Sequence, residues 1–344
     1  MPSKFALPPV VRRLMPDVFT FAILCMVALA SVLPVTGQAA VVFGDITALA
    51  IGLLFFLHGA KLSREALLAG LTHWRLHLLV LALTYVMFPL LGLAIKPLAL
   101  LVLAPDLYLG ILFLSVLPST VQSSIAFTAV ARGNVPAAIC SATASNFLGI
   151  FLTPLLVGTL VLHGAAASGH SALDSVLSIV EQLLLPFIAG QLLRPWIGAW
   201  IDRNKGMLKY VDQGSILLVV YTAFSASVAE GLWHSMSAGT LLALTGVCCL
   251  LLAVALGIAM VISRKLGFSK EDQIAIVFCG SKKSLASGIP MAKVLFAPTS
   301  LGLVILPLML FHQIQLMVCA VLAQKYAQRA ELAAAAPAAT TPSV

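Results

Sequence analysis

Charge is what this 344-residue sequence lacks: only 9% of its residues are Asp, Glu, Lys or Arg, against about 25% in a soluble domain. So few charges cannot coat a water-exposed surface of this size, and a soluble globule is excluded. The 20 basic residues outnumber 12 acidic ones, yet they form no contiguous patch with interleaved aromatics, which argues against nucleic acid as a partner. The six cysteines (Cys25, Cys140, Cys248, Cys249, Cys279 and Cys319) lie in apolar runs without CxxC or CxxH spacing, so neither a zinc site nor a disulfide framework is indicated. They read as small buried apolar residues. HExxH, a His/Asp cluster and a nucleophile beside a base are all missing from the apolar runs, which speaks against an integral membrane enzyme. A channel would want a continuous polar stripe, and there is none. The first apolar run, about Val18 to Val35, lacks a small-x-small cleavage site and is long for a signal peptide; it reads as a retained helix.

What is present is hydrophobicity: 61% apolar residues and a mean hydropathy of +1.08. Charges and turn residues divide the chain into ten stretches long enough to cross a bilayer as helices, at 17–35, 41–59, 75–95, 107–130, 135–161, 174–193, 212–231, 239–262, 272–295 and 299–323. The fold class predicted is an all-α polytopic membrane protein. Asp17, Asp106, Asp174, Asp212 and Asp272 fall at expected span starts, where a carboxylate can cap free N–H groups and meet the positive end of the helix dipole. Sixteen of the 20 Lys and Arg lie in loops of one side and only Lys96 and Lys293 on the other; Lys282 and Lys283 lie within span nine. With an even number of spans, this skew places both termini in the cytoplasm, with 1–16 a cytoplasmic segment. The Ala-rich stretch 327–344 cannot bury a core of its own and is expected to be a disordered cytoplasmic tail.

Span starts in the first half recur in the second at a shift of about 157 to 171 residues. Five spans are an odd number, so two copies in series, 17–161 and 174–323, have opposite topology, the inverted-repeat arrangement of many secondary transporters. Two polar interruptions fall at corresponding places. Span four reads Pro118-Ser119-Thr120-Val121-Gln122-Ser123-Ser124 near its middle; proline removes a helical N–H and hydroxyls offer the freed carbonyls other partners, so the helix breaks, or at the least kinks, there. Span nine reads Cys279-Gly280-Ser281-Lys282-Lys283-Ser284. Each ammonium costs about 2.5 to 3.5 kcal/mol at a helix centre, and adjacent residues diverge by about 100°, so aiming both lysines at one cavity requires unwinding, for which Gly280, Gly288 and Pro290 are suited. The alternative is that the lysines belong to a cytoplasmic loop and the span starts near Leu285. His312, Gln313 and Gln315 in span ten, Glu181 and Gln182 in span six, and Tyr221, Thr222, Ser225 and Ser227 in span seven are further polar positions that could line a cavity or join helices.

These strings, with Arg132-Gly133-Asn134-Val135, Leu57-His58-Gly59-Ala60-Lys61-Leu62-Ser63 and His312-Gln313-Ile314-Gln315-Leu316, resemble the bacterial SBF-like branch of the bile acid:sodium symporter family over nearly the whole chain. The resemblance implies a panel domain (spans one, two, six and seven) and a core domain (the other six), with spans four and nine broken and crossing. Substrate and ions would bind around Pro118, Ser119, Thr120, Gln122, Ser123, Ser124, Cys279, Ser281, Lys282, Lys283 and Ser284. It implies a secondary transporter moving a small organic anion by alternating access in a bacterial inner membrane. No cofactor is implied, and sodium ion or proton stays open as the coupling ion. Two departures stand out. The asparagine of the sodium-coupled members' span-four pattern is Ser124 here, and the glutamate of their span nine is absent, the stretch from Cys279 carrying lysines instead. A sodium ion wants oxygens and usually a carboxylate, and an ammonium 4 Å away repels it by about 4 kcal/mol at an effective dielectric of 20. Three readings follow: a lysine is a built-in cation in the place of sodium, the lysines titrate and couple transport to protons, or they bind the anionic substrate.

Overall fold

A computed structural model describes residues 18–61, 73–162, 184–229, 231, 236–296 and 298–335. Among them every regular element is helical. They are α1 (Val18–Val32), α2 (Gly37–Lys61), α3 (Trp74–Ala94), α4 (Lys96–Val102), α5 (Pro105–Ser115), α6 (Gln122–Val130), α7 (Val135–Leu156), α8 (Leu185–Arg203), α9 (Lys205–Ala229), α10 (Ala238–Lys265), α11 (Lys270–Gly280), α12 (Leu285–Leu295) and α13 (Pro298–Ala335). Six stretches, Gly37–Lys61, Trp74–Ala94, Val135–Val161, Lys205–Ala229, Ala238–Lys265 and Ser300–Arg329, are long and apolar enough to cross a membrane. The outward-facing surface is correspondingly apolar, with Val18, Leu49, Leu101, Leu192 and Leu242 exposed. The chain is a multi-pass membrane protein.

The elements pack in two groups. α1, α2, α8 and α9 lie together, α2 against α8 and α9 against α1 and α2; α3, α5 to α7 and α10 to α13 form the other, and α9 joins the groups by packing on α12 and α13. In the first group α2 and α8 approach backbone to backbone: a Cβ on Gly59 would collide with the Phe187 carbonyl, and one on Gly190 with the Phe56 carbonyl. Lys61 pairs with Asp212, and Arg194 donates to the Ala60 carbonyl at the same end. Tyr221 donates to the Leu33 carbonyl (2.8 Å), Thr222 meets Thr47 (3.4 Å), and Ser227 accepts from the Gly302 N–H (2.8 Å), so these span-seven hydroxyls join α9 to its neighbours, whereas the Ser225 hydroxyl has no partner among the described residues.

Several expectations need correction. Asp212 lies two turns inside α9, where it pairs with Lys61 instead of starting a helix. Asp106 and Asp272 do sit in first turns, but neither makes the cap: α5 starts after Ala104 with no side-chain cap, and in α11 Ser269 accepts the Asp272 N–H (3.1 Å). The last helix continues to Ala335, so 327–335 are helical where disorder was expected; Ala, Gln, Glu, Leu and Arg are strong helix formers and simply extend it. α8 runs on to Arg203, which puts Arg194 inside a helix and not in a loop. Segment 1–16 with Asp17, Asp174, Glu181 and Gln182, and residues 336–344 lie outside the described residues.

Candidate functional site

The break between α5 and α6 is a run of non-helical backbone, and its carbonyls would be costly in a bilayer without donors. Each from Ser115 to Ser119 has one. Ser115 O and Leu117 O accept from the Lys283 ammonium (2.7 and 2.8 Å), Val116 O from Thr153 (2.9 Å), Pro118 O from the Ser284 N–H (2.8 Å) and Ser119 O from the Asn146 amide (2.7 Å). The second break, between α11 and α12, is closed reciprocally. Ser119 donates to the Cys279 carbonyl (2.6 Å) and Ser124 to the Phe278 carbonyl (2.9 Å), while Gln315 of α13 both accepts from the Lys283 N–H and donates to the Lys283 carbonyl (2.9 Å each). Ser284 caps α12 by accepting the Ser287 N–H (3.2 Å), and Ser281 donates back to the Val277 carbonyl (2.6 Å). The two breaks therefore lie against one another and are each other's hydrogen-bond partners. Their near ends are tied as well: Asn134 caps α7 (3.0 Å), donates to Asp272 (2.7 Å), and its N–H meets the Glu271 carbonyl (3.0 Å), which accounts for the Arg132-Gly133-Asn134-Val135 string.

Gly280 and Gly288 act by small size and not by backbone freedom. Neither has positive φ, and a Cβ on Gly280 would lie 2.7 Å from Leu83 Cδ1, one on Gly288 2.6 Å from Leu308 Cδ2.

The two lysines are both fully buried, and they part company. Lys283 aims its ammonium at three carbonyls, those of Ser115, Leu117 and Thr84 (2.8 Å), with the Phe88 ring 4.2 Å away. An ammonium has three donors, so it is fully satisfied, and two of its acceptors are free carbonyls at and just beyond the C-terminal end of α5, where a positive charge also meets the negative end of the helix dipole. Thr84 O is free because Leu83–Met87 forms a π turn, in which the Phe88 N–H bonds Leu83 O, and because the next residue, Pro89, has no N–H to give. Lys282 points elsewhere: 3.3 Å from Ser123 Oγ, 4.3 Å above the Phe127 ring and 5.6 Å from the Phe278 ring. Among the described residues the ion pairs are Lys61–Asp212, Arg194–Asp202 and Lys205–Asp202, so no carboxylate faces either lysine. The lysines do not belong to a surface loop, and their ammonium groups meet different partners.

Of the other expected site residues, Thr120 bonds Ser123 (2.8 Å) and Ser124 (3.2 Å), His312 accepts from Gln315 (2.9 Å), and Cys279 contacts the Ala138 carbonyl (3.7 Å). Gln122 is exposed at the start of α6, and the Gln313 side-chain oxygen is buried with no partner among the described residues. Sequence reasoning missed Asn146, which links Ser119 O to Ser287 (2.7 Å), and Phe88 with its following proline. The polar run Ser141, Ser145, Asn146 at helical spacing in span five was the available signal. Among the described residues no group of three His, Cys, Asp or Glu is placed to hold a metal.

Residues 17–328 match the SBF-like CPA transporter family. The chain is 66% identical over 324 residues to the uncharacterized protein PA2026 of Pseudomonas aeruginosa, covering 94% of this chain and 97% of that protein. It is 54% identical over 319 residues to YfeH of Escherichia coli K12, named as a candidate symporter (92% and 94% covered). To the sodium/bile acid cotransporter 7-B of Xenopus laevis it is 30% identical over 321 residues (90% and 92%). With the family match over residues 17–328 and relatives of this identity and coverage, the chain belongs to the SBF-like CPA transporter family.

Proposed function

We propose that the protein is a secondary active transporter that carries a small organic anion across a bacterial inner membrane by alternating access, without needing sodium. In this reading α5 with α6 and α11 with α12 each make one span, giving ten spans in two inverted halves, 17–161 and 174–323. α1, α2, α8 and α9 are the panel and the remaining helices the core, and both termini are cytoplasmic. The names of the cotransporter relatives point to bile acids as the first anions to try. The observation that carries the coupling scheme is the Lys283 ammonium on three carbonyls at the crossing, 2.7 to 2.8 Å away, where no carboxylate among the described residues faces it. A sodium ion would need those oxygens and a negative ligand, whereas a lysine ammonium in that place brings its own positive charge and caps the broken helix itself.

The test is uptake of a radiolabelled bile acid into proteoliposomes, with sodium replaced by a bulky organic cation and with proton gradients imposed separately. Uptake that persists without sodium is expected. Strict sodium dependence would overturn the built-in cation, and dependence on the proton gradient alone would transfer the coupling role to protons.

A further inference from the structure

The lysines differ in what they leave unfilled. Lys283 has spent its three N–H donors; Lys282 has one long contact, 3.3 Å to Ser123, and two aromatic faces, which attract a cation but accept no ordinary hydrogen bond. Two N–H groups of a fully buried ammonium thus lack acceptors among the described residues. Charges in a membrane interior are expensive and mark the path of an ion or substrate. What would complete this one is a pair of anionic oxygens.

The surroundings show where such a group would come from. Phe127 and Phe278 belong to an apolar cluster separate from the main core, with Ile274, Cys319, Ala323 and Tyr326. The rings run in series, Phe127 to Phe278 at 5.9 Å and Phe278 to Tyr326 at 6.2 Å, and Arg264 and Arg329 are within electrostatic range of Tyr326. From that end the neighbours follow one another: two guanidinium groups near Tyr326, then Phe278 and Phe127 in edge-to-face and tilted contact, and then the ammonium. Cations placed there raise the local concentration of anions, and the rings give an apolar body something to pack on while its charged head meets Lys282.

We infer that Lys282 is the cargo's charge receptor: the oxyanion of a small organic acid, carboxylate or sulfonate, takes its two unfilled N–H positions after the Phe127–Phe278–Tyr326 plug has opened, while Lys283 stays bound to its carbonyls and never touches cargo. This rests on the transporter reading above and adds which lysine recognises the substrate, and from which end.

The experiment uses the full-length protein in membranes with Ser123→Cys, which puts a thiol beside the ammonium. Modification at position 123 is followed by peptide mass spectrometry with two methanethiosulfonate reagents of similar size, one ending in a sulfonate and one in a trimethylammonium. The sulfonate reagent is expected to react about tenfold faster or more, and the preference should vanish when Lys282→Met is added but not when the exposed Lys270→Met is. Thr120→Cys repeats the measurement if Ser123→Cys does not insert. Equal rates for the two reagents, a preference that survives Lys282→Met, or no reaction at either position under any imposed gradient would overturn the inference and leave Lys282 a packing residue. Strict sodium dependence with the preference intact would instead refute the built-in cation alone.

Discussion

Replacing the two neighbouring lysines one at a time by methionine should move stability in opposite directions. Methionine keeps much of the apolar stem and removes the charge. At Lys283 the loss is three hydrogen bonds from an ammonium to the Thr84, Ser115 and Leu117 carbonyls, each worth about 1.5 to 3 kcal/mol, and a cation–π contact with Phe88 at 4.2 Å, about 0.5 to 2 kcal/mol. Against this stands relief of the cost of holding an ammonium in the membrane interior, about 2.5 to 3.5 kcal/mol. Lys283→Met should therefore destabilise by about 1.5 to 8.5 kcal/mol. At Lys282 the loss is one long hydrogen bond to Ser123 and a cation–π contact with Phe127 at 4.3 Å, about 1 and about 0.5 to 2 kcal/mol. Relief of the same desolvation offsets both, so Lys282→Met should be neutral or stabilising by up to about 2 kcal/mol. The assay is reversible unfolding in lipid nanodiscs with a chemical denaturant, the two variants side by side. Equal losses for both, or a larger loss at Lys282, would refute the assignment of one lysine to structure and the other to cargo.

A reporter fused after Lys325 should report the cytoplasm and one inserted at His163 the opposite side; the same side for both would end the ten-span arrangement. Gly59→Ala should push α2 off α8, because the Phe187 carbonyl occupies the Cβ position, whereas Gly52→Ala on the same helix meets nothing within 4 Å. A thermal-unfolding midpoint lowered by the first and unchanged or raised by the second is the expected pair, and equal effects would mean that the close approach carries no weight.

The membrane class, the approximate places of the helices and the two interruptions were legible in the sequence because each is a local property. Hydropathy over about twenty residues decides whether lipid can solvate a segment, and a proline such as Pro118 or a charge pair such as Lys282-Lys283 disturbs the helix where it stands. The acid at 212 was misread for the same reason: sequence places it near a span start, and only packing shows Lys61 beside it, 151 residues away. The helical stretch 327–335 was likewise settled by its good helix formers continuing a helix already begun, not by its lack of a core. The different fates of Lys282 and Lys283 were not in the sequence at all. They depend on partners 159 to 199 residues distant: Ser123 for one, and for the other Ser115 and Leu117 at a broken helix end and Thr84, freed by a π turn and the following proline. A string of residues states which groups need partners. Only the tertiary fold decides which donors reach which acceptors, since hydrogen bonds act over about 3 Å and adjacent residues at an unwound turn point in different directions.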